Sequence, residues 1–179
     1  KSLLNESSAP SLSIDAFQAV SDWLPWAILE WLETKLSTGT AEGAAKALAV
    51  SIAAARNALE RLTRLEMVEQ KGRPVRYRAT ENSTLVHGGM PSEAVRSFHQ
   101  QILDKAGAAL ETQGIDRRES GTLVLAVRAE DQAVVRERIR EFRKSLMKEF
   151  GDQSGRSRVY ALSTHWFELT QIENDGERS

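Results

Sequence analysis

Arg56 and Asn57 are adjacent residues whose side chains have the chemistry to read DNA bases. They lie in the stretch SIAAARNALERLTRL, which begins at position 51. An arginine can donate two hydrogen bonds to a guanine, and an asparagine can bond an adenine through two atoms. The predicted base-reading residues on the exposed side of this stretch are Ile52, Ala53, Arg56, Asn57 and Arg61.

A second group of residues has the chemistry to bind phosphate. It comprises Ser51, Lys71, Arg73, Arg76 and Arg78. Positions 51–80 hold seven basic residues against three acidic ones, whereas the whole chain carries a net charge of −1. A local basic excess in a nearly neutral chain favours a nucleic-acid-binding face.

Residues 40–80 contain the elements that would position both groups. An Ala-rich helix over 41–48, capped by Thr38 or Thr40, is followed by a tight turn and a second helix over 51–65, capped by Ser51. A first strand at 67–69, a basic tip at 72–74 and a return strand at 75–78 follow. Two helices at an angle and then a hairpin predict a winged helix-turn-helix.

The segment before it, residues 15–35, has apolar residues at the period of one helix face. Pro25 predicts either a kink or the first turn of a fresh helix. The tryptophans Trp23, Trp26 and Trp31 are interpreted as core together with a dimer or interdomain face. A ligand pocket lined by these indoles is the alternative.

The C-terminal half predicts a helix over 91–112, a strand over 122–127, a helix over 130–150 and a strand over 159–169. Two strands make a poor sheet to leave open. We therefore expect another chain to complete the sheet or to pack on its face. The interface candidates are Trp23, Trp26, Trp31, Tyr160 and Trp166. The fold class is α+β, divided into a disordered lead (1–13), a winged-helix domain (14–82), a linker (83–90), a small αβαβ dimerisation or sensing domain (91–170) and a polar tail (171–179).

Three stretches resemble a bacterial domain family of unknown function. They are MPSEAVRSFHQQILDKA at 90–106, GTLVLAVRAEDQAVVRERIREFRKSLM at 121–147 and RVYALSTHWFELT at 158–170. The third is similar to the family's closing run of Tyr-Gln-Leu-Asn and an aromatic pair before Pro-Leu-Thr. The resemblance covers roughly residues 23–170 and implies a transcriptional regulator of a type frequent in predatory bacteria. Many members carry an additional N-terminal repressor-type helix-turn-helix, which this sequence lacks, so we expect a truncated or short member.

Composition argues against several classes of function. The chain has 179 residues and no cysteine, which removes disulfides, thiolate catalysis and cysteine-rich zinc sites and suits a reducing, cytoplasmic compartment. No apolar run approaches the ~20 residues of a membrane span. The histidines at 87, 99 and 165 lack partners at metal-ligand spacing. We expect no enzyme activity, metal or cofactor.

Two functions stay open. The first is a DNA-binding transcriptional regulator that acts as a homodimer on double-stranded DNA. The second is a protein-interaction or scaffold module that keeps the winged-helix shape without contacting DNA. The run Ile52-Ala53-Ala54 favours the second, because it offers no hydrogen bond to a base edge.

Overall fold

The computed structural model describes Ala16, Ala19 and residues 21–81 and 92–170. The predicted lead (1–13), linker (83–90) and tail (171–179) lie outside these residues. The chain divides into a first unit, Lys1–Glu119 with Ser154–Ala161, and a second unit, Ser120–Gln153 with Leu162–Ser179. The described residues form five α-helices and one two-stranded sheet, so the protein mixes helix and sheet, as the α+β class predicts.

Helix α1 spans Trp23–Leu32 and begins where the sequence allows a fresh helix to start. The side chain of Asp22 caps it by accepting a 3.1 Å hydrogen bond from the nitrogen of Leu24. Pro25 lies in the first turn, where a missing N–H costs nothing because no intrahelical acceptor exists there. Of the two outcomes predicted for Pro25, the structure therefore shows the second, a position in the first turn of a fresh helix.

Helices α2 (Ala41–Leu48) and α3 (Ile52–Arg64) begin at the predicted caps. The Oγ1 of Thr40 accepts from Gly43, and the Oγ of Ser51 accepts from Ala54. Ala49 ends α2 in the left-handed conformation, with φ at 53°, so the chain turns sharply into α3.

Strands β1 (Val68–Lys71) and β2 (Arg76–Ala79) pair antiparallel and form the predicted hairpin, with its tip at residues 72–75. The nitrogen of Tyr77 also donates a 2.7 Å hydrogen bond to the carbonyl of Gly39, which places the turn before α2 beside β2. Apolar residues from α1, α2, α3 and β1 form one core; its most deeply buried large side chains include Ile28, Leu59, Leu62 and Val68.

Helix α4 spans Ser92–Thr112 and belongs to the first unit. Its buried Ala94 and the edge-to-face contact between Phe98 and Trp26, with ring centroids 6.1 Å apart, lie on the side that faces α1. The sequence pattern grouped this helix with the C-terminal half. The grouping in the structure differs because contacts between side chains, rather than order along the chain, decide it.

The second unit contains a 3-10 turn, Ala129–Asp131, and helix α5, Gln132–Phe150, which matches the helix predicted over 130–150. The segments 122–127 and 159–169, which the sequence predicts as strands, belong to no sheet among the described residues of the single chain. A strand needs a neighbour for its backbone groups, and neither segment has one in the part of the chain that the structure describes. Val159 instead packs against the core of the first unit.

Candidate nucleic-acid interface

The N-terminal half of α3 presents the predicted base-reading residues at the surface. Arg56 and Asn57 are exposed, as is Ala53, and 47% of Ile52 is accessible to solvent. Arg61, one turn further along, is half-buried. Because the Ser51 side chain caps the helix, the exposed turn starts at a defined position. Four of the five predicted base-reading residues are therefore exposed.

Arg56 forms an ion pair with Glu42 of α2. The Nη2 of Arg56 lies 3.5 Å from the Oε1 of Glu42, and the two side chains are 55% and 61% exposed. Ion pairs this open to water contribute only ~0–1 kcal/mol. The pair links α2 and α3, yet it is weak enough for Arg56 to exchange Glu42 for another anion.

A groove lies between the hairpin and the turn that precedes α2. It has a volume of about 510 Å³, and its walls carry the four hairpin cations Lys71, Arg73, Arg76 and Arg78. Ser37 and Thr38 line it with their hydroxyl groups, whereas the hydroxyl of the buried Thr34 donates to the carbonyl of Trp31. No Asp or Glu is among the lining residues that the structure describes. The groove therefore combines positive charge with hydrogen-bond donors, the combination that binds phosphate.

The four cations have different local partners. A guanidinium nitrogen of Arg76 donates to the carbonyl of Thr38, which helps hold the turn against β2, and Lys71 pairs with Glu69. Arg73 and Arg78 are exposed and form no ion pair with any residue in the described part of the chain. These two side chains are available to an external anion.

The structure brings together some of the predicted residues and leaves others apart. The hairpin cations share one groove, but Ser51 and the predicted base-reading residues of α3 are not part of its lining. The side chain of Ser51 is used as a helix cap. Sequence reasoning missed the groove-lining hydroxyls of Ser37 and Thr38, for which the Ser-Thr-Gly-Thr turn at 37–40 was a weak signal.

A domain of unknown function, DUF4423, matches residues 4–169 of the sequence. The chain belongs to the DUF4423 family. The predicted resemblance to a domain family of unknown function is confirmed, and the match begins earlier in the chain than the resemblance did. No curated protein matches this DUF4423 chain, and no solved structure does. None of the described helices of the DUF4423 domain is long and apolar enough to cross a membrane.

The predicted interface residues of the DUF4423 domain lie in different surroundings. Trp31 is buried in the core, with 5% of its surface exposed. Trp23 and Trp26 are half-buried against α4, where the Nζ of Lys105 stands 3.4 Å from the centroid of the Trp23 ring. Tyr160 is 70% exposed and Trp166 is half-buried. Their role in a dimer stays a prediction.

The histidines of the DUF4423 domain make local contacts. His99 meets the adjacent Phe98 edge-to-face at 5.7 Å, and the Nε2 of His165 lies 2.6 Å from the Oγ of Ser163, two residues away on an exposed segment. His87 lies outside the described residues. Within the described parts of the chain, no three His, Asp or Glu side chains are grouped so that they could hold a metal ion.

Proposed function

We propose that this DUF4423 domain is a transcriptional regulator that binds double-stranded DNA as a homodimer, through a winged helix-turn-helix in its first unit. The observation that carries the proposal is the cationic groove of the hairpin. Four cations and no described carboxylate line it, in a chain whose net charge is −1. Selective placement of charge of this kind is the electrostatic footprint of a nucleic-acid-binding surface.

The order of the elements supports the same function. Helices α2 and α3 meet at the tight turn of Ala49, and the β1–β2 hairpin follows α3 directly. In such an arrangement the second helix enters the major groove and its N-terminal residues contact base edges. Arg56 and Asn57 occupy that half of α3, so we assign base reading to them and phosphate binding to the hairpin.

Phosphate binding by Arg73 and Arg78 is tested by the salt dependence of DNA affinity. Fluorescence anisotropy with a labelled duplex of mixed sequence measures the dissociation constant over a series of salt concentrations. The variant Arg73→Ala, Arg78→Ala is expected to bind more weakly and to reduce the slope of log affinity against log salt by about 1.8, at ~0.9 per lost phosphate contact.

The matched control is Arg96→Ala, Arg117→Ala. It removes two exposed cations of the same unit from outside the groove, with the same change in net charge. The control should keep the wild-type slope. If both double variants lower the slope equally, the groove is not the phosphate site; if wild type does not bind the duplex at all, DNA binding itself is rejected.

Base reading is tested separately by selecting duplexes from a random pool. The variants Arg56→Ala and Asn57→Ala should change the preferred sequence while leaving the salt slope close to the wild-type value. Each lost bidentate contact costs ~1–3 kcal/mol of discrimination against other bases. An unchanged preference in both variants would show that α3 does not read bases through this pair.

A docking site for another protein is the second candidate function, and one observation favours it. The first exposed turn of α3 presents Ile52, with 47% of its surface accessible, next to exposed Ala53. Neither side chain can form a hydrogen bond to a base. Substitution Ile52→Ser separates the two functions, because it should leave DNA affinity within about twofold if α3 enters DNA through Arg56 and Asn57.

A further inference from the structure

Apolar side chains of the second unit form no core among its described residues. Eleven large apolar residues in its described part are each at least 39% exposed, among them Leu123 at 78%, Val124 at 72% and Phe167 at 69%. No residue of this unit is buried over the ranges that the structure describes, 120–153 and 162–170. A folded domain with so much apolar surface in water and nothing buried is incomplete.

Helix α5 shows where cover is missing. Val135, Ile139 and Leu146 are half-buried, while Phe142 and Phe150 on the same stripe remain 53% and 51% exposed. The rest of the helix surface is rich in arginine, lysine and glutamate, including a pair between Arg140 and Glu137 at 3.0 Å. The helix is therefore amphipathic, and its apolar stripe is only partly covered within the described chain.

Two segments of the same unit have the composition of strands but no partner strand among the described residues. Residues 122–127 read TLVLAV, and residues 162–169 contain Leu162, Trp166, Phe167 and Leu169. β-branched and aromatic residues favour strands, yet the one sheet of the described residues holds only β1 and β2. Pairing with strands from outside the chain would satisfy both their backbone groups and their side chains.

We propose that a second copy of this chain covers this surface. In the dimer, residues 122–127 and 162–169 of each copy pair in one shared sheet, and the apolar stripes of both α5 helices pack on it. The second unit thereby acquires its core on association. This inference rests on the proposed homodimer and names its interface.

The exposed area has the size that a stable dimer needs. The eleven side chains expose on the order of 1,000 Å² of apolar surface per copy, against ~800 Å² that each partner contributes to a standard interface. Two strands from each copy make a sheet of four, within the usual size of a sheet. A two-fold interface uses the same patch on both subunits, so a second copy supplies what the first one lacks.

Sedimentation velocity on the full chain, from about 1 to about 100 μM, measures the dimer dissociation constant. Wild type should be a dimer in this range. Val124→Asp and Phe142→Asp should each raise the dimer dissociation constant at least ~100-fold, because each places a carboxylate in the shared core. The control is Leu110→Asp in a helix of the first unit, because Leu110 is 53% exposed, as Phe142 is. The dimer dissociation constant of this control should stay within about threefold of the wild-type value.

Hydrogen exchange on the same samples provides an independent readout. Amides of 122–127 and 162–169 should exchange slowly in the wild-type dimer and rapidly in the Val124→Asp and Phe142→Asp variants, while amides of α3 stay protected in all of them. Slow exchange in α3 shows that the variants keep a folded first unit.

Three results would overturn the inference. They are a wild-type monomer throughout the concentration range, a dimer that tolerates both aspartates, and rapid exchange of both segments within the dimer. A monomer with slowly exchanging segments also rejects a second copy as the cover. If the protein is a monomer that still binds DNA through the hairpin groove, the proposed interface is rejected and the proposed DNA binding is retained. If it is a dimer that does not bind DNA, the interface is retained and DNA binding is rejected.

Discussion

The side-chain amide of Gln101 donates a 2.8 Å hydrogen bond to the backbone carbonyl of Ser21. Its oxygen lies 3.4 Å from the backbone nitrogen of Trp23, the first residue of α1. N–H groups in the first turn of a helix have no acceptor within the helix. The side chain of this one α4 residue thus contacts both a carbonyl group and an N–H group at the start of α1. Ser21, the more distant of the two partners, lies 80 positions before Gln101 in the chain.

Replacing Gln101 by alanine should lower the free energy of unfolding by ~1–2 kcal/mol, because both partly buried backbone groups lose their partner. Urea denaturation followed by tryptophan fluorescence measures the change. The control is Gln100→Ala, since the amide of Gln100 lies 3.3 Å from Asp104 on the same exposed helix side. The control should change stability by less than ~0.5 kcal/mol, and equal losses in the two variants would contradict the role assigned to Gln101.

The contact between Lys105 and Trp23 predicts a pH dependence of stability. Burial lowers the pKa of Lys105 below the ordinary value of 10.5, and the carboxylate of Asp22 acts in the opposite direction. Between the lowered pKa and 10.5 the unfolded chain binds more protons than the folded one, so the free energy of unfolding contributed by this group rises with pH.

Urea denaturation of wild type and Lys105→Met at pH values from about 8 to about 11 isolates this contribution, because other lysines titrate equally in both proteins. Wild type should gain stability relative to the variant as the pH rises. A relative loss would mean that the attraction between the ammonium group and the indole ring outweighs its desolvation.

Gly39 and Gly107 should respond in opposite ways to alanine. Gly39 has a φ of +65°, and a Cβ there would lie 2.9 Å from the backbone oxygen of Tyr77. Gly39→Ala should lower the free energy of unfolding by ~1–3 kcal/mol through backbone strain. Gly107 lies within α4 with no atom within 4 Å of such a Cβ, so Gly107→Ala should raise it by ~0.5–1 kcal/mol.

Thermal and urea unfolding of both glycine variants tests this pair. Since the carbonyl of Gly39 accepts the hydrogen bond of Tyr77, Gly39→Ala should also weaken the proposed DNA binding by displacing the turn from the groove. A neutral Gly39→Ala variant would mean that the turn moves without cost.

If α3 binds DNA as proposed, removing the ion pair between Glu42 and Arg56 should raise the affinity for DNA. Glu42→Gln releases Arg56 and removes a negative charge beside α3, so DNA should bind a few-fold more tightly, most clearly at low salt. The free energy of unfolding should change by no more than ~1 kcal/mol. Anisotropy titrations should show a smaller gain of DNA affinity for the control Glu93→Gln on α4. Equal gains in the two variants would mean that the change in net charge alone explains the effect.

Local patterns were sufficient to predict most elements of the first unit. Thr40 and Ser51 cap helices, and Pro25 lies in a first turn. Each of these interactions reaches only about four residues along the chain, so the local sequence is enough to predict these helix starts. The hairpin follows from alternating residues around Gly72-Arg73-Pro74 in the same way.

The candidate site was predictable only in part. Sequence identifies the cations and the exposed arginine and asparagine of α3, but the groove forms because Tyr77 bonds Gly39 and Arg76 bonds Thr38, 38 positions apart in each case. Likewise, the ion pair between Arg56 and Glu42 depends on how α2 packs against α3. No periodicity in the chain encodes such distances directly.

Helix positions, caps, the hairpin and the local excess of positive charge follow from the amino-acid sequence alone, because each depends on interactions between near neighbours. The tertiary structure decided that α4 belongs to the first unit and that hairpin cations surround a groove beside the α2 turn. It also decided that residues 122–127 and 162–169 belong to no sheet among the described residues of a single chain. The physical reason is that strand pairing and side-chain packing require partners distant in sequence, and a strand-forming composition cannot specify where the partner is.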